Sequence, residues 1–310
     1  MKFFIFISIF FINSFALTFD EATQNFKDKK YIIAYEQFSE LALNDDANAQ
    51  YNVALMNYKG IGVNSNKELA FFWYEKAALN GNLVAQNNLA HMYYLGDVVK
   101  KDLKEAQKWY EKAALAGYGL AQLNLAMLFD LSTNEDKVNQ AFEWYEKAAK
   151  QGVIIAQNNL GKMYYTGRGV KTDKKKAFYW FKEASDASNA IAQANLAMMY
   201  LTADGIPEDI DKAVDLLTKS SKQNNLPAMI KLANIYGSGK VVSQDYKKAF
   251  YWYSKAKQRN SLTALFHVGL YYYHGYGVPR NVDKGIDLIR EAKDKGYKRA
   301  ESFFKINNIK

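Results

Sequence analysis

The feature that most restricts what this chain can fold into is that it copies itself. The stretch from Lys67 to Val99, KELAFFWYEKAALNGNLVAQNNLAHMYYLGDVV, moved forward by 36 positions lands on its own image: Trp73 falls on Trp109, Tyr74 on Tyr110, Lys76 on Lys112 and Gly81 on Gly117. With one step of 35 the tryptophan column continues to Trp144, Trp180 and Trp252, and Leu216 and Leu288 fill its remaining places. Repetition at this period marks a helical array, in which each unit hides its apolar face only against its neighbours. A chain of 310 residues would otherwise suggest two domains. An array has no single core, so length sets no domain count here.

The repeats are cut at a recurring alanine: 49–84, 85–120, 121–155, 156–191, 192–227, 228–263 and 264–299, with a partial unit over 300–310. Each opens with Ala, an apolar and a small residue four and five places on, and an aromatic eight on, as in Ala85, Leu89, Ala90 and Tyr93. These places share one helical face. A glycine loop follows, such as Gly60 to Val63 or Gly275 to Val278, then an N-cap candidate (Asn66, Asp102, Asp173, Asp209, Asp245, Asn281) and a second helix with the tryptophan. That helix stops at Gly81, Gly117, Gly152, Ser188, Asn224, Asn260 or Gly296. Residues 17–48 carry Ala22, Phe26, Tyr31, Ala34, Tyr35, Phe38 and Leu41 at helical spacing around a break at Asp28, which predicts a capping helix pair. The fold class read from this is all-α, helix-turn-helix repeats of about 36 residues. The tryptophan column is expected in the core. The third unit replaces its glycine loop with LFDLSTNEDKVNQ and loses one residue, so a local distortion or bend is expected there.

The first sixteen residues, MKFFIFISIFFINSFA, read as a secretory signal cleaved after Ala16, with Ser14 and Ala16 as the small residues of the cleavage site. The apolar run is about ten residues, roughly half of what crosses a bilayer, and no later stretch is long and apolar enough to span one. The expected location is periplasmic or secreted, with no transmembrane segment after cleavage. Forty-one Lys and Arg face 32 Asp and Glu, a net charge of +9. So basic a chain could bind nucleic acid, but export argues against such a partner. Residues 17–48 hold three Lys against seven acids, while 290–310 hold seven bases against three acids, so the ends differ in sign. There is no Cys, so packing alone must hold the fold.

No metal set, cofactor motif or nucleophile-base pattern stands out. His91, His267 and His274 lack a His-Glu-x-x-His spacing, and the pair His267 and His274 reads as a surface feature. The chain is therefore not expected to be an enzyme. The feature most suggestive of binding is a column three places after each opening Ala: Asn52, Asn88, Asn124, Asn159 and Asn195, followed by Lys231 and His267. An amide is donor and acceptor at once, so a ladder of them suits the backbone of an extended chain. The same amides could equally bond within their own repeats, and both readings stand at this point.

The pattern Ala-Gln-x-Asn-Leu-Ala/Gly-x-Met-Tyr, Gly-x-Gly-Val, Lys-Ala-x-x-Trp-Tyr-x-Lys-Ala-Ala resembles the Sel1-like repeat, a relative of the tetratricopeptide repeat, over residues 49–299. The resemblance implies an alpha/alpha superhelix, a solenoid whose first helices line a concave surface, and adaptor roles through protein or peptide binding. It places Tyr51, Tyr58, Asn87, His91, Tyr94, Asn158, Lys162, Tyr165, Phe266 and Tyr273, two, six or nine residues after each opening Ala, in that groove. The candidate partner-binding set is then Asn52, Asn88, Asn124, Asn159 and Asn195 with Tyr58, His91, Tyr94, Lys162, Tyr165 and Tyr273. Some secreted relatives are cysteine-rich and associated with β-lactam hydrolysis. A cell-wall or β-lactam hydrolase is accordingly the alternative, though this chain has none of their cysteines.

Overall fold

The computed structural model describes residues 17–307 and 309. The signal expected over residues 1–16 lies outside the described residues. Among those described there are seventeen helices and no strand, and their contacts divide into two compact units, one up to Leu128 and one from Phe129. The first unit holds α1 (Phe19–Lys27), α2 (Tyr31–Leu43), α3 (Ala47–Lys59), α4 (Lys67–Leu79), α5 (Leu83–Leu95) and α6 (Leu103–Leu115). Helix α7 (Gly119–Asp130) carries the division. The second unit continues with α8 (Glu135–Lys150), α9 (Ile154–Thr166), α10 (Lys174–Asp186), α11 (Ala190–Thr202), α12 (Ile210–Lys222) and α13 (Leu226–Ser238). It ends with α14 (Tyr246–Lys257), α15 (Leu262–His274), α16 (Val282–Asp294) and α17 (Lys298–Ile306).

Local chemistry sets these boundaries. All six anticipated N-caps accept a hydrogen bond from the first turn of their second helix, as Asn66 does from the Leu69 amide at 2.9 Å. The first helices are capped as well, by Asp46, Asn82, Asn189, Asn225 and Ser261, each accepting from the amide of the opening Ala three places on. Helices therefore begin two residues before that alanine. The second helices are followed by a left-handed residue at every expected stop, from Gly81 to Gly296. In the third repeat a four-residue connection replaces the glycine loop, Asn134 becomes the cap, and α8 runs to 16 residues.

Small residues allow the helices to approach. The opening alanines and the Ala70, Ala106, Ala141, Ala177, Ala213 and Ala249 column are fully buried. Between them lies one large side chain per repeat: Tyr74, Tyr110, Tyr145, Phe181, Leu217, Tyr253 or Ile289, none more than 3% exposed. This column stands one residue after the tryptophans, and the expectation for the tryptophans is corrected accordingly. Only Trp109 is buried; Trp73, Trp144, Trp180 and Trp252 are half-buried. Adjacent helix residues point about 100° apart, so the Tyr and the Trp of one repeat face different neighbours. Trp73 leans on the core of α1 to α3 and Trp252 on that of α11 to α13. A ring of about 150–250 Å² is worth several kcal/mol when fully covered, at ~25 cal/mol/Å². The Tyr column gains most of this, and Trp73 and Trp252 bind neighbouring repeats together.

A buried glutamine one place after the opening Ala adds a polar brace. Gln50, Gln86, Gln122, Gln157 and Gln193 each donate from Nε2 to a carbonyl in the last turn of the preceding second helix, at 3.0–3.5 Å. That satisfies one of the carbonyls that every helix end leaves without a partner.

Candidate functional site

The first unit contains a cleft of about 380 Å³. Helix α3 contributes Tyr51, Leu55 and Tyr58, α4 contributes Tyr74, and α5 contributes Asn87, Asn88 and His91. Tyr118 and Leu120, at the start of α7, form its remaining wall. Tyr51 and Tyr74 lie with ring centres 6.1 Å apart. His91 is exposed, stacks on Tyr94 at 6.2 Å and meets the Tyr110 hydroxyl at 3.3 Å. The site thus offers ring faces, an imidazole and amides side by side.

Its amides are already part of a network. Asn88 hydrogen-bonds the Tyr74 phenol, whose pKa burial pushes well above its ordinary value. Asn88 also accepts from Asn87 Nδ2 at 3.4 Å, and Asn124 Nδ2 donates to Asn87 Oδ1 at 2.8 Å. The second unit repeats this arrangement: Asn159 bonds the Tyr145 phenol and accepts from Asn158 Nδ2 at 3.2 Å, while Asn195 donates to Asn158 Oδ1 at 3.0 Å. The asparagine pairs at 87–88 and 158–159 are thus linked to the next repeat by Asn124 and Asn195. All five column amides are half-buried. Asn52, on α3, has no partner among the described residues.

The cleft brings together Asn88, Tyr58 and His91 of the candidate set, with Tyr94 stacked beside them. The other aromatic candidates are engaged elsewhere. The Tyr165 ring lies under Lys174 Nζ at 3.3 Å, and its phenol bonds Asp204, which also pairs with Lys174 at 3.0 Å. The Tyr165 hydroxyl first and Lys174 second hold the Asp204 carboxyl below its usual range. Tyr58 has the same relation to Lys67, 5.8 Å over its ring and paired with Asp97. Each cluster ties the start of one second helix to the loop of the next repeat. Lys162 is exposed on α9, and Tyr273 packs edge-on against Phe303 at 5.3 Å.

Two expectations about the groove are corrected. Three of the candidate places two residues after the opening Ala are covered: Asn87, Asn158 and Phe266 are buried, Phe266 against Tyr297 and Phe303, whereas Tyr51 is half-buried. Asn158 and Phe266 therefore serve the interior, while Asn87 and Tyr51 line the first-unit cleft. His267 is not a surface residue, being half-buried and stacked flat on Tyr253 at 4.6 Å. Burial first and the charge of Arg299 second lower its pKa to about 4. Among the described residues no group of three His, Cys, Asp or Glu could hold a metal ion. Sequence reasoning overlooked the glutamine brace and the Tyr–Lys–Asp clusters. The glutamines recur at the same period and could have been found by the same alignment.

The Sel1 repeat family model matches residues 47–82, 83–118, 119–153, 154–189, 190–225, 226–261 and 262–297. Among solved structures the chain is similar to a protective antigen of uropathogenic Escherichia coli strains that displays an SLR fold, at 25% identity and a TM-score of 0.79. That match covers 87% of this chain and 58% of the antigen, so the chain spans less than two thirds of its length. It is also similar to a Sel1 repeat protein from Oxalobacter formigenes, at 32% identity and a TM-score of 0.70, over 78% of this chain and 97% of that one. Yeast Tom70 shares the fold alone, at 16% identity and a TM-score of 0.50, over 91% of this chain and 59% of its own. No curated protein matches the chain.

Proposed function

The chain belongs to the Sel1 repeat family, and from that footing we propose that it is an exported scaffold that holds a protein partner, as an extended peptide, in a groove along its first helices. The observation that carries the reading is the first-unit cleft, where Tyr51, Tyr58 and His91 stand beside the Asn88 amide. Rings supply apolar contact at low entropic cost, and amides meet a peptide backbone without reading its side chains. The apolar run before Ala16 supports export. So does the resemblance to a protein described as a protective antigen.

Two experiments test it. Amino-terminal sequencing of the exported protein should begin at Leu17; a chain that still begins at Met1 would remove the export reading. For binding, peptides are selected on the full chain from a random dodecapeptide display library. Replacing Tyr58 and His91 together by Ala should weaken the selected peptides about tenfold or more, with the melting temperature nearly unchanged because neither side chain is in the core. Unaltered affinity in that variant would overturn the first-unit cleft as the binding site.

A further inference from the structure

The second unit contains a larger cleft, about 510 Å³, between α13, α14, α15 and their loops. It arises from a pair of exchanges in the repeat pattern. Nine places after the opening Ala, where Tyr58, Tyr94, Tyr165 and Tyr273 stand, this repeat has Gly237. Seven places after it, where Met56, Met92, Met163 and Met199 stand, the next repeat has Tyr271. The Tyr271 hydroxyl occupies the space that glycine vacates: a Cβ on Gly237 would lie 2.5 Å from it. One large side chain is thus withdrawn and another enters from the neighbouring repeat, leaving an open space lined by phenols.

The charge of this space is one-sided. Lys231 and Lys240 line it beside the rings of His267 and His274, and no Asp or Glu does. Lys231 stands in the column that carries Asn52 to Asn195, so the ladder of neutral amides becomes cationic here. Lys231 is half-buried, and it makes no ion pair or hydrogen bond with any described residue. That differs from Lys67 and Lys174, whose charges are matched by Asp97 and Asp204. Lys240 occupies the loop place held by Asp97 and Asp204 in their repeats, and its ammonium is also without a partner among the described residues. Two ammonium groups without a counter-ion attract an incoming carboxylate with no acidic side chain in the cleft to compete for them.

Other donors and ring faces surround the two lysines. Asn234 accepts the Tyr253 hydroxyl on Oδ1, which leaves its Nδ2 protons to the cleft. Tyr246 and Tyr276 stack at 4.5 Å and 6°, and His274 continues the stack on Tyr276 at 5.0 Å and 20°. The volume falls within the ~300–1,000 Å³ of ordinary ligand clefts. We propose that this cleft is a receptor for acidic peptide: it takes an Asp or Glu side chain between Lys231 and Lys240, with an adjoining ring or apolar side chain against the Tyr246–Tyr276 stack. The inference rests on the peptide-scaffold reading and adds to it the charge of the partner.

The test uses the full chain and a random dodecapeptide display library. Selected peptides should be enriched in Asp and Glu next to Phe, Tyr, Trp or Leu, and their binding should weaken several-fold when salt is raised across about one Debye length of screening. Lys231→Met and Lys240→Glu should each weaken the acidic peptides about tenfold, while Lys231→Arg, which keeps the charge, should retain them. Melting temperatures of all three variants guard against unfolding. Peptides without acidic enrichment, or acidic peptides that bind both charge variants unchanged, would overturn this inference and leave the scaffold reading in place. Recovery of no peptide at all would overturn both. Binding of inorganic phosphate alone, with no acidic peptide selected, would make the cleft a phosphate site and sink the proposal.

Discussion

A single rotation of about 100° around a helix decides which aromatic carries the stability. Tyr145 is 2% exposed and its phenol bonds Asn159, whereas Trp144, its neighbour in sequence, is half-buried with Lys147 Nζ 4.0 Å over its ring. Tyr145→Ala should therefore cost about 3–5 kcal/mol and Trp144→Ala about 1–2 kcal/mol, read from urea midpoints. Equal losses would show that the two columns share the core. His267 offers a second measurement. Its pKa falls from 6.5 to about 4 on folding, so between those values the unfolded chain holds the extra proton. Stability from the neutral ring is present above about pH 6.5 and is lost as pH falls toward 4, a loss of up to about 3 kcal/mol. His267→Phe keeps a ring on Tyr253 without a titrating group. Its melting temperature should fall less than that of the parent across this window, and parallel curves would contradict the assignment.

At the scale of the helix and its loop, the decisive contacts are those only glycine permits. Gly277, at φ +65°, lies where an added Cβ would be 2.5 Å from the Tyr246 carbonyl carbon, so the loop after α15 rests on the start of α14. Gly296 has φ +87° and open space around its missing Cβ. Gly296→Ala should cost about 1 kcal/mol from backbone strain alone, and Gly277→Ala about 2–4 kcal/mol because a backbone clash is added. Similar denaturation midpoints for the two would argue against the loop contact. This contrast also marks how far the sequence could be read. Both glycines were legible as turns, because a left-handed residue is a local requirement. The clash was not, since Gly277 and Tyr246 are brought together only by stacking. The asparagine column was legible by its period, but its bond from Asn124 to Asn87 joins residues 37 apart and depends on how repeats meet. The helix pairs were read correctly because alternating small and large residues set their faces. The first helices begin two residues before the alanine that marks each repeat, directly after caps such as Asp46 and Asn82.

For the molecule as a whole, the principal contacts in each unit run between helices adjacent in sequence, from α1 with α2 onward in the first and from α8 with α9 to α16 with α17 in the second. Stability in such an array is a sum of repeat and interface terms, so damage stays local. Tyr253→Ala should lower hydrogen-exchange protection in α13 to α16 and leave α9 and α10 as protected as in the parent. A uniform loss across these helices would mean that the unit behaves as one cooperative block. The ties between repeats, such as Lys67 with Asp97 and Asn195 with Asn158, join residues 30 and 37 positions apart. Set against 310 residues, that separation is about a tenth of the chain, the range of fast-folding helical proteins. No segment has to wait for a distant one. Within each unit, two neighbouring repeats can order without the rest of the chain, and the repeat after them finds a finished surface to close against.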